Sequence, residues 1–154
     1  MASLVLDANV LVLFVVGTVD RRSIRSHRRC REFTEADFDL LVATVGRFER
    51  VVVTTSVLTE TSNLLAYANG ALRERLLDAL RGFVALAFEE RHESATVMTE
   101  RVFVRLGLTD AGLMTCVRSG HYLLTADLDL YLAARAVSEN VENFNHLRQN
   151  SLLS

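Results

Sequence analysis

The chain contains no proline, no tryptophan and no lysine, so all 17 of its basic residues are arginine. Without lysine and without a glycine-rich phosphate loop, it does not fit a P-loop or receiver-type phosphate site. No Gly-x-Gly-x-x-Gly dinucleotide run is present either. Cysteine is scarce. Cys30 and Cys116 lie far apart and match no metal or redox spacing, so free thiols in a reducing compartment are expected. Long apolar runs are missing too: residues 10–16 are almost wholly apolar, but a bilayer span takes about 20 residues. A signal peptide would start with basic residues, whereas here Asp7 precedes the apolar run and no arginine occurs before Arg21. The expected location is the cytoplasm. The formal net charge of −2 provides no general pull towards nucleic acid, so any such attraction has to come from a local patch.

What remains is the composition of a soluble globular chain. Its 154 residues are half hydrophobic and 23% charged, which suits one domain with a real core. Arginine in place of lysine favours forked contacts to phosphate.

Strand-like and helix-like segments alternate along the chain. Residues 4–6 form a short apolar strand that ends at Asp7, and residues 10–16 form a buried helix. Thr34 with Asp37 three residues later marks a helix start of the reciprocal capping kind. Phe38, Leu41, Val42, Val45 and Phe48 then recur at helical spacing. Residues 51–54 are a β-branched strand, and a helix capped at Thr55-Ser56 runs to Ala68. A further helix covers residues 71–81, an apolar stretch at 83–88 is a third strand, and residues 92–106 return to helical period. Thr109 caps a helix over 111–118. Residues 121–125 form the fourth strand, 127–137 a helix, and 141–144 a last short edge strand before a closing tail. This pattern predicts a single α/β domain over residues 1–154. Its centre is a mostly parallel four- to five-stranded sheet flanked by helices.

In such a sheet, ligands bind beyond the carboxyl ends of the strands. Asp7 follows the first strand and Asp127 the fourth. Glu60 is near the start of the helix after the second strand, and Asp110 starts the helix that leads into the fourth. The topology therefore brings four carboxylates from remote places to one rim, with Asp129 as a fifth candidate. At ~4 Å and an effective dielectric of ~20, each close pair repels by about 4 kcal/mol. Such a cluster holds protons or binds divalent cations, and an all-oxygen set suits Mg²⁺ or Mn²⁺. One or two such ions suit phosphodiester hydrolysis, where they activate water and stabilise the leaving oxygen. Taken one at a time, Asp7 and Asp127 also read as helix caps, Asp110 as a helix-dipole partner and Glu60 as a solvated residue.

Four segments also resemble PIN-domain signatures in order and spacing: LVLDANVL at 4–11, VLTETSNLL at 57–65, LGLTDAGLM at 106–114 and LLTADLDLY at 123–131. The ending VENFNHLR at 141–148 is similar to that of some PIN-like proteins. The family includes the toxin ribonucleases of VapBC-type toxin–antitoxin pairs. The resemblance implies a three-layer PIN-like fold, a Mg²⁺ or Mn²⁺ site on Asp7, Glu60, Asp110 and Asp127, and endonucleolytic cleavage of RNA. It further implies a homodimer, a small protein antitoxin as possible partner, and Asn9, Thr125 and Asp129 as supporting residues. The chain departs from the family in two places. Residues 18–33 are longer and more basic than a compact toxin needs, and residues 54–57 lack the proline that related sequences often carry.

Arg21, Arg22, Arg25, Arg28, Arg29 and Arg31 make the only dense basic segment. It is read either as a contact surface for the RNA backbone or as a solvated loop. His27, His92, His121 and His146 have no serine or cysteine partner at a telling spacing and are not assigned to catalysis. The rival to the nuclease reading is a catalytically silent PIN-like module that binds RNA or protein.

Overall fold

The computed structural model describes residues 2–154. The first strand, β1 (Ser3–Leu6), is buried along its whole length. It lies at the centre of a five-stranded sheet with β2 (Arg50–Val53), β3 (Phe88–Glu89), β4 (Tyr122–Thr125) and β5 (Val141–Asn143), in the order β3-β2-β1-β4-β5. Every pairing is parallel. A strand covered on both faces reads as a continuous apolar run, which is why Leu4-Val5-Leu6 shows no alternation. The chain builds outward from β1 to β3, then returns to lay β4 on the other side of β1. The gap between β1 and β4 is therefore the topological switch point of the sheet, where open α/β sheets hold their ligands.

Helices flank the sheet in a three-layer α/β arrangement. The most buried is α1 (Ala8–Val19), capped by Asp7. It packs against α2 (Glu35–Val45), α3 (Thr55–Leu65) and α4 (Gly70–Leu86). The expected capping box of α2 is present, with Thr34 and Asp37 satisfying each other's backbone N–H groups. Gly17 permits the close approach of α2, since a Cβ there would stand 2.2 Å from the Phe38 ring.

Several expectations are corrected. The strand expected over residues 83–88 is mostly helix: α4 continues to Leu86 and only Phe88–Glu89 pair with β2. Phe83 and Val84 extend the apolar face begun by Leu72, Leu76 and Leu80, and Phe83 packs against Phe14 with ring centroids 5.8 Å apart. An apolar run long enough for a strand was the end of a helical stripe. Residues 92–106 are not one helix but two single turns, α5 (Ser94–Val97) and α6 (Phe103–Leu106). The Thr99 hydroxyl bonds the Thr96 carbonyl, a local alternative to the helical ladder. The next helix, α7 (Leu108–Arg118), is capped by Gly107 at φ 91 rather than by Thr109. Only glycine adopts that backbone without strain. The helix expected to reach Ala68 ends at Leu65, capped by Thr54. After α8 (Leu128–Arg135) and β5, the expected tail is a helix, α9 (Phe144–Leu153), anchored by buried Phe144 against Phe33.

The basic segment is not a loose loop. A 3-10 turn over Arg21–Ile24 leads into a chain of turns in which the N–H groups of Ser26, Cys30 and Phe33 each bond the carbonyl three residues back. Ile24, His27, Cys30 and Phe33 consequently point inward and are buried. Arg25, Arg28, Arg29 and Arg31 are left on the outside. Both cysteines are free and buried, and burial pushes each thiol up to about 12. Among the described residues, no helix is long and apolar enough to cross a membrane.

Candidate functional site

Asp7 leaves the carboxyl end of β1 at the switch point and is only 5% exposed. Its Oδ1 accepts the Val10 N–H at 2.9 Å, the N-cap bond of α1. Its Oδ2 accepts the Ala126 N–H at 2.9 Å and the hydroxyl of fully buried Thr125. The same Thr125 oxygen accepts the Asp127 N–H at 3.0 Å. One hydroxyl thus ties the end of β1 to the end of β4. Burial raises the Asp7 carboxyl above its ordinary value, the three hydrogen bonds oppose this, and the charge of Asp127 adds to the rise.

Asp127 caps α8 through Oδ1, which accepts the Leu130 N–H at 2.9 Å. Asp110 occupies the first turn of α7. Glu60, exposed on α3, is carried alongside because α3 packs on α7. Asp110 shows the convergence most directly, since its carboxyl is pushed up to about 7. Burial is the largest cause, followed by the charges of Asp127, Asp7 and Glu60. Asp110 therefore feels the charge of each of the other three carboxylates expected at the rim, and Asp7 that of Asp127. They share a field without crowding: no three of them bring their oxygens within 4.8 Å of one another.

The supporting residues divide. Thr125 holds Asp7 in place, as described. Asn9, half-buried, lines a shallow pocket of about 340 Å³ with Arg28, Arg29, Arg31 and Glu32. Asp129 is exposed on the first turn of α8 and joins none of these contacts.

The six arginines divide too. Arg21 pairs with Asp39 and Glu35 and stacks over Phe38, and Arg22 faces Asp20. Their charges are locally matched. Arg28 lies over the Tyr67 ring at 4.9 Å, and with Arg29 and Arg31 it forms the basic wall of the pocket that starts at Asn9, two residues from Asp7.

Sequence reasoning missed the strut that fixes this wall. Arg148 on α9 donates to the Glu32 carbonyl and the Asn145 side chain, both at 2.8 Å, pairs with Asp37 at 3.0 Å, and stacks over Phe33 at 4.7 Å. Asn145 in turn donates to the carbonyl of Ala126 at 3.2 Å, and the N–H of Ala126 holds Asp7. Nothing in the local sequence distinguishes this arginine from a solvated one. His146, its neighbour but one, packs edge-on to Tyr131 and is exposed. His27 is buried and pushed below its ordinary pKa by desolvation, so it stays neutral.

A second grouping was also missed. Glu90, His92 and Cys116 bring ligand atoms within 4.8 Å of one another, the only such set of three among the described residues. Cysteine spacing gives no hint of it, because α7 carries Cys116 to residues that follow β3.

Searches against protein-family models, curated proteins and solved structures find no match for this chain.

Proposed function

We propose that the chain is a divalent-metal-dependent endoribonuclease of the PIN type, hydrolysing RNA phosphodiester bonds at the rim formed by Asp7, Glu60, Asp110 and Asp127. One observation carries this reading. Asp110 is pushed up to about 7 first by burial and then by the charges of Asp127, Asp7 and Glu60, which arrive from three different elements. A fold keeps mutually repelling groups together at a switch point when something positive binds there.

The donor chemistry fits Mg²⁺ or Mn²⁺, since all four groups offer hard oxygens and none offers nitrogen or sulfur. Asp7 Oδ2 has both lone-pair directions occupied by Thr125 and Ala126, whereas Oδ1 accepts only from Val10. Oδ1 therefore keeps a lone pair for a cation. Asp127 likewise uses Oδ1 for its cap, which leaves Oδ2 for the site. Asp7, Glu60, Asp110 and Asp127 would hold such an ion, which when bound would lower the pKa of water and offset charge on the departing oxygen. Water then adds to phosphorus as the P–O3′ bond breaks, giving a 5′-phosphate and a 3′-hydroxyl.

The chain supplies position and charge balance. Thr125 and Ala126 fix the Asp7 carboxylate, and the wall of Arg28, Arg29 and Arg31 offers forked donors to phosphates that flank the scissile one. RNA is favoured as substrate by this wall and by the resemblance of the four motifs to PIN ribonucleases. The silent-module reading is weaker here because the acidic quartet is complete.

The test is cleavage of a structured RNA with Mn²⁺, with Mg²⁺ and with EDTA. Asp7→Asn, checked for folding by circular dichroism, serves as the control: asparagine caps helices as well as aspartate does and removes the charge, although its NH2 group takes the place of one of the two accepting oxygens. The expected result is cleavage with either metal, none in EDTA and none by the folded variant. Metal-independent cleavage, or an Asp7→Asn variant as active as the parent, would overturn the reading. RNA binding without cleavage under any metal would establish the silent module instead.

A further inference from the structure

We infer that Glu90, His92 and Cys116 form a separate binding site for a Zn²⁺-like cation, with His121 as the residue that positions Glu90. The site does not depend on the nuclease reading, because it shares no residue with the acidic rim.

The three donors come from the segment after β3 and from α7, and their ligand atoms lie within 4.8 Å of one another. One carboxylate oxygen, one imidazole nitrogen and one thiolate make a mixed donor set that selects Zn²⁺ over Mg²⁺. The charges also match once binding displaces the Cys116 thiol proton to solvent: a carboxylate and a thiolate neutralise a divalent ion. Glu90 is held between two rings, with Oε1 2.8 Å from His92 Nε2 and Oε2 2.5 Å from His121 Nε2. The two contacts differ in kind. The His121 contact is an aligned hydrogen bond, and the far nitrogen of that ring, Nδ1, meets the Ser3 hydroxyl at 2.6 Å. The His92 contact is close but out of line, so His92 Nε2 is a buried nitrogen with no hydrogen-bond partner. A buried polar atom left in that state is costly, and coordination would satisfy it.

The arrangement has the supporting layer a metal centre needs. His121, oriented by Ser3, presents Glu90 towards His92, as outer residues orient ligands elsewhere. It also has an entrance. A cavity of about 340 Å³ between the start of α3 and the segment after β3 is lined by Glu90 and His92. Three protein donors would leave a fourth position for water, and Glu90 and His92 connect the site to the cavity they line.

The test is titration of the full chain with Zn²⁺ against a chromophoric chelator, and with Co²⁺ alone under reducing conditions. Expected are one equivalent of Zn²⁺ bound in the presence of excess Mg²⁺, and a thiolate-to-cobalt charge-transfer band. Cys116→Ala should lose that band, while Cys30→Ala and Asp7→Asn retain it. His92→Ala should weaken Zn²⁺ binding by about a hundredfold or more, and His121→Ala by about ten- to a hundredfold. Cys116 is fully buried; should its variant fail to fold, Glu90→Gln and His92→Ala, on partly exposed side chains, carry the test. The inference is overturned if the folded parent shows no thiolate band. It is equally overturned if Zn²⁺ affinity is unchanged in folded His92→Ala and Glu90→Gln.

Discussion

Replacing Asp110 by asparagine keeps the side chain's shape and deletes a charge that burial and three neighbouring carboxylates disfavour. The carboxyl stands at about 7 in the folded chain against an ordinary 3.8. Between those values the folded state holds a proton that the unfolded state has released. Stability therefore falls as pH rises through this window, and the full penalty applies above pH 7. A shift of about three units corresponds to a ceiling of ~4 kcal/mol. The group is partly open to water, and solvent screening reduces this to about 1–2 kcal/mol. In EDTA at pH 8, Asp110→Asn should accordingly be more stable than the parent by that amount, and the gap should narrow at pH 5. Urea denaturation at the two pH values measures it. Saturating Mg²⁺ should reverse the order at pH 8, because a ligand at a hundred times its Kd stabilises the parent by about 2.7 kcal/mol and the variant binds it less well. The reasoning fails if the parent's pH dependence between 5 and 8 matches the variant's, or if the variant is the less stable protein in EDTA at pH 8.

Thr125→Val should destabilise the fold by about 1–3 kcal/mol in urea denaturation, because it strips a donor from buried Asp7 and an acceptor from the Asp127 N–H; no loss would show that the hydroxyl is not the tie between β1 and β4. The triple change of Arg28, Arg29 and Arg31 to alanine should weaken RNA binding and flatten its log–log salt slope by about 2, at roughly 0.7 per lost phosphate contact to a single strand. An unaltered slope would make the wall a solvated face. Gly17→Ala should cost about 1–3 kcal/mol by overpacking against Phe38, and Phe38→Leu in the same chain should recover part of it.

Much of the fold was legible because local chemistry and tertiary role agree. Asp7, Thr34 and Asp127 cap the helices that follow them, and Leu4-Val5-Leu6 is the central strand its composition suggests. The errors fall where one pattern serves two structures. Residues 83–88 are apolar enough for a strand, yet Phe83 and Val84 complete a helical face whose partner, Phe14, is remote in sequence. Strand order was not legible, so the sequence located a rim but not the switch point between β1 and β4. The spacing of Ile24, His27, Cys30 and Phe33 was in plain view, and only the arginines between them made the segment look like a solvated loop. Glu90, His92 and Cys116 escaped for another reason: their proximity depends on how α7 lies against the segment after β3, which no short-range pattern encodes.

The acidic rim raises a final physical question, which is how a fold assembles four like charges without collapsing there. Three of the four sit at helix N-termini: Asp7 and Asp127 cap α1 and α8, and Asp110 lies in the first turn of α7. Each helix end contributes partial positive charge, worth about 0.3–1 kcal/mol to a carboxylate. The hydrogen bonds from Val10, Thr125, Ala126 and Leu130 add to it. These devices allow Asp7 to be buried, and they lie along the same strand–helix junctions that aim the carboxylates at one space. They do not balance the cluster, because Asp110 remains raised and its causes still include all three neighbours. At Asp110, burial first and then the three neighbouring charges outweigh what the helix ends supply, and under the proposed nuclease reading a divalent cation would offset the part that is charge.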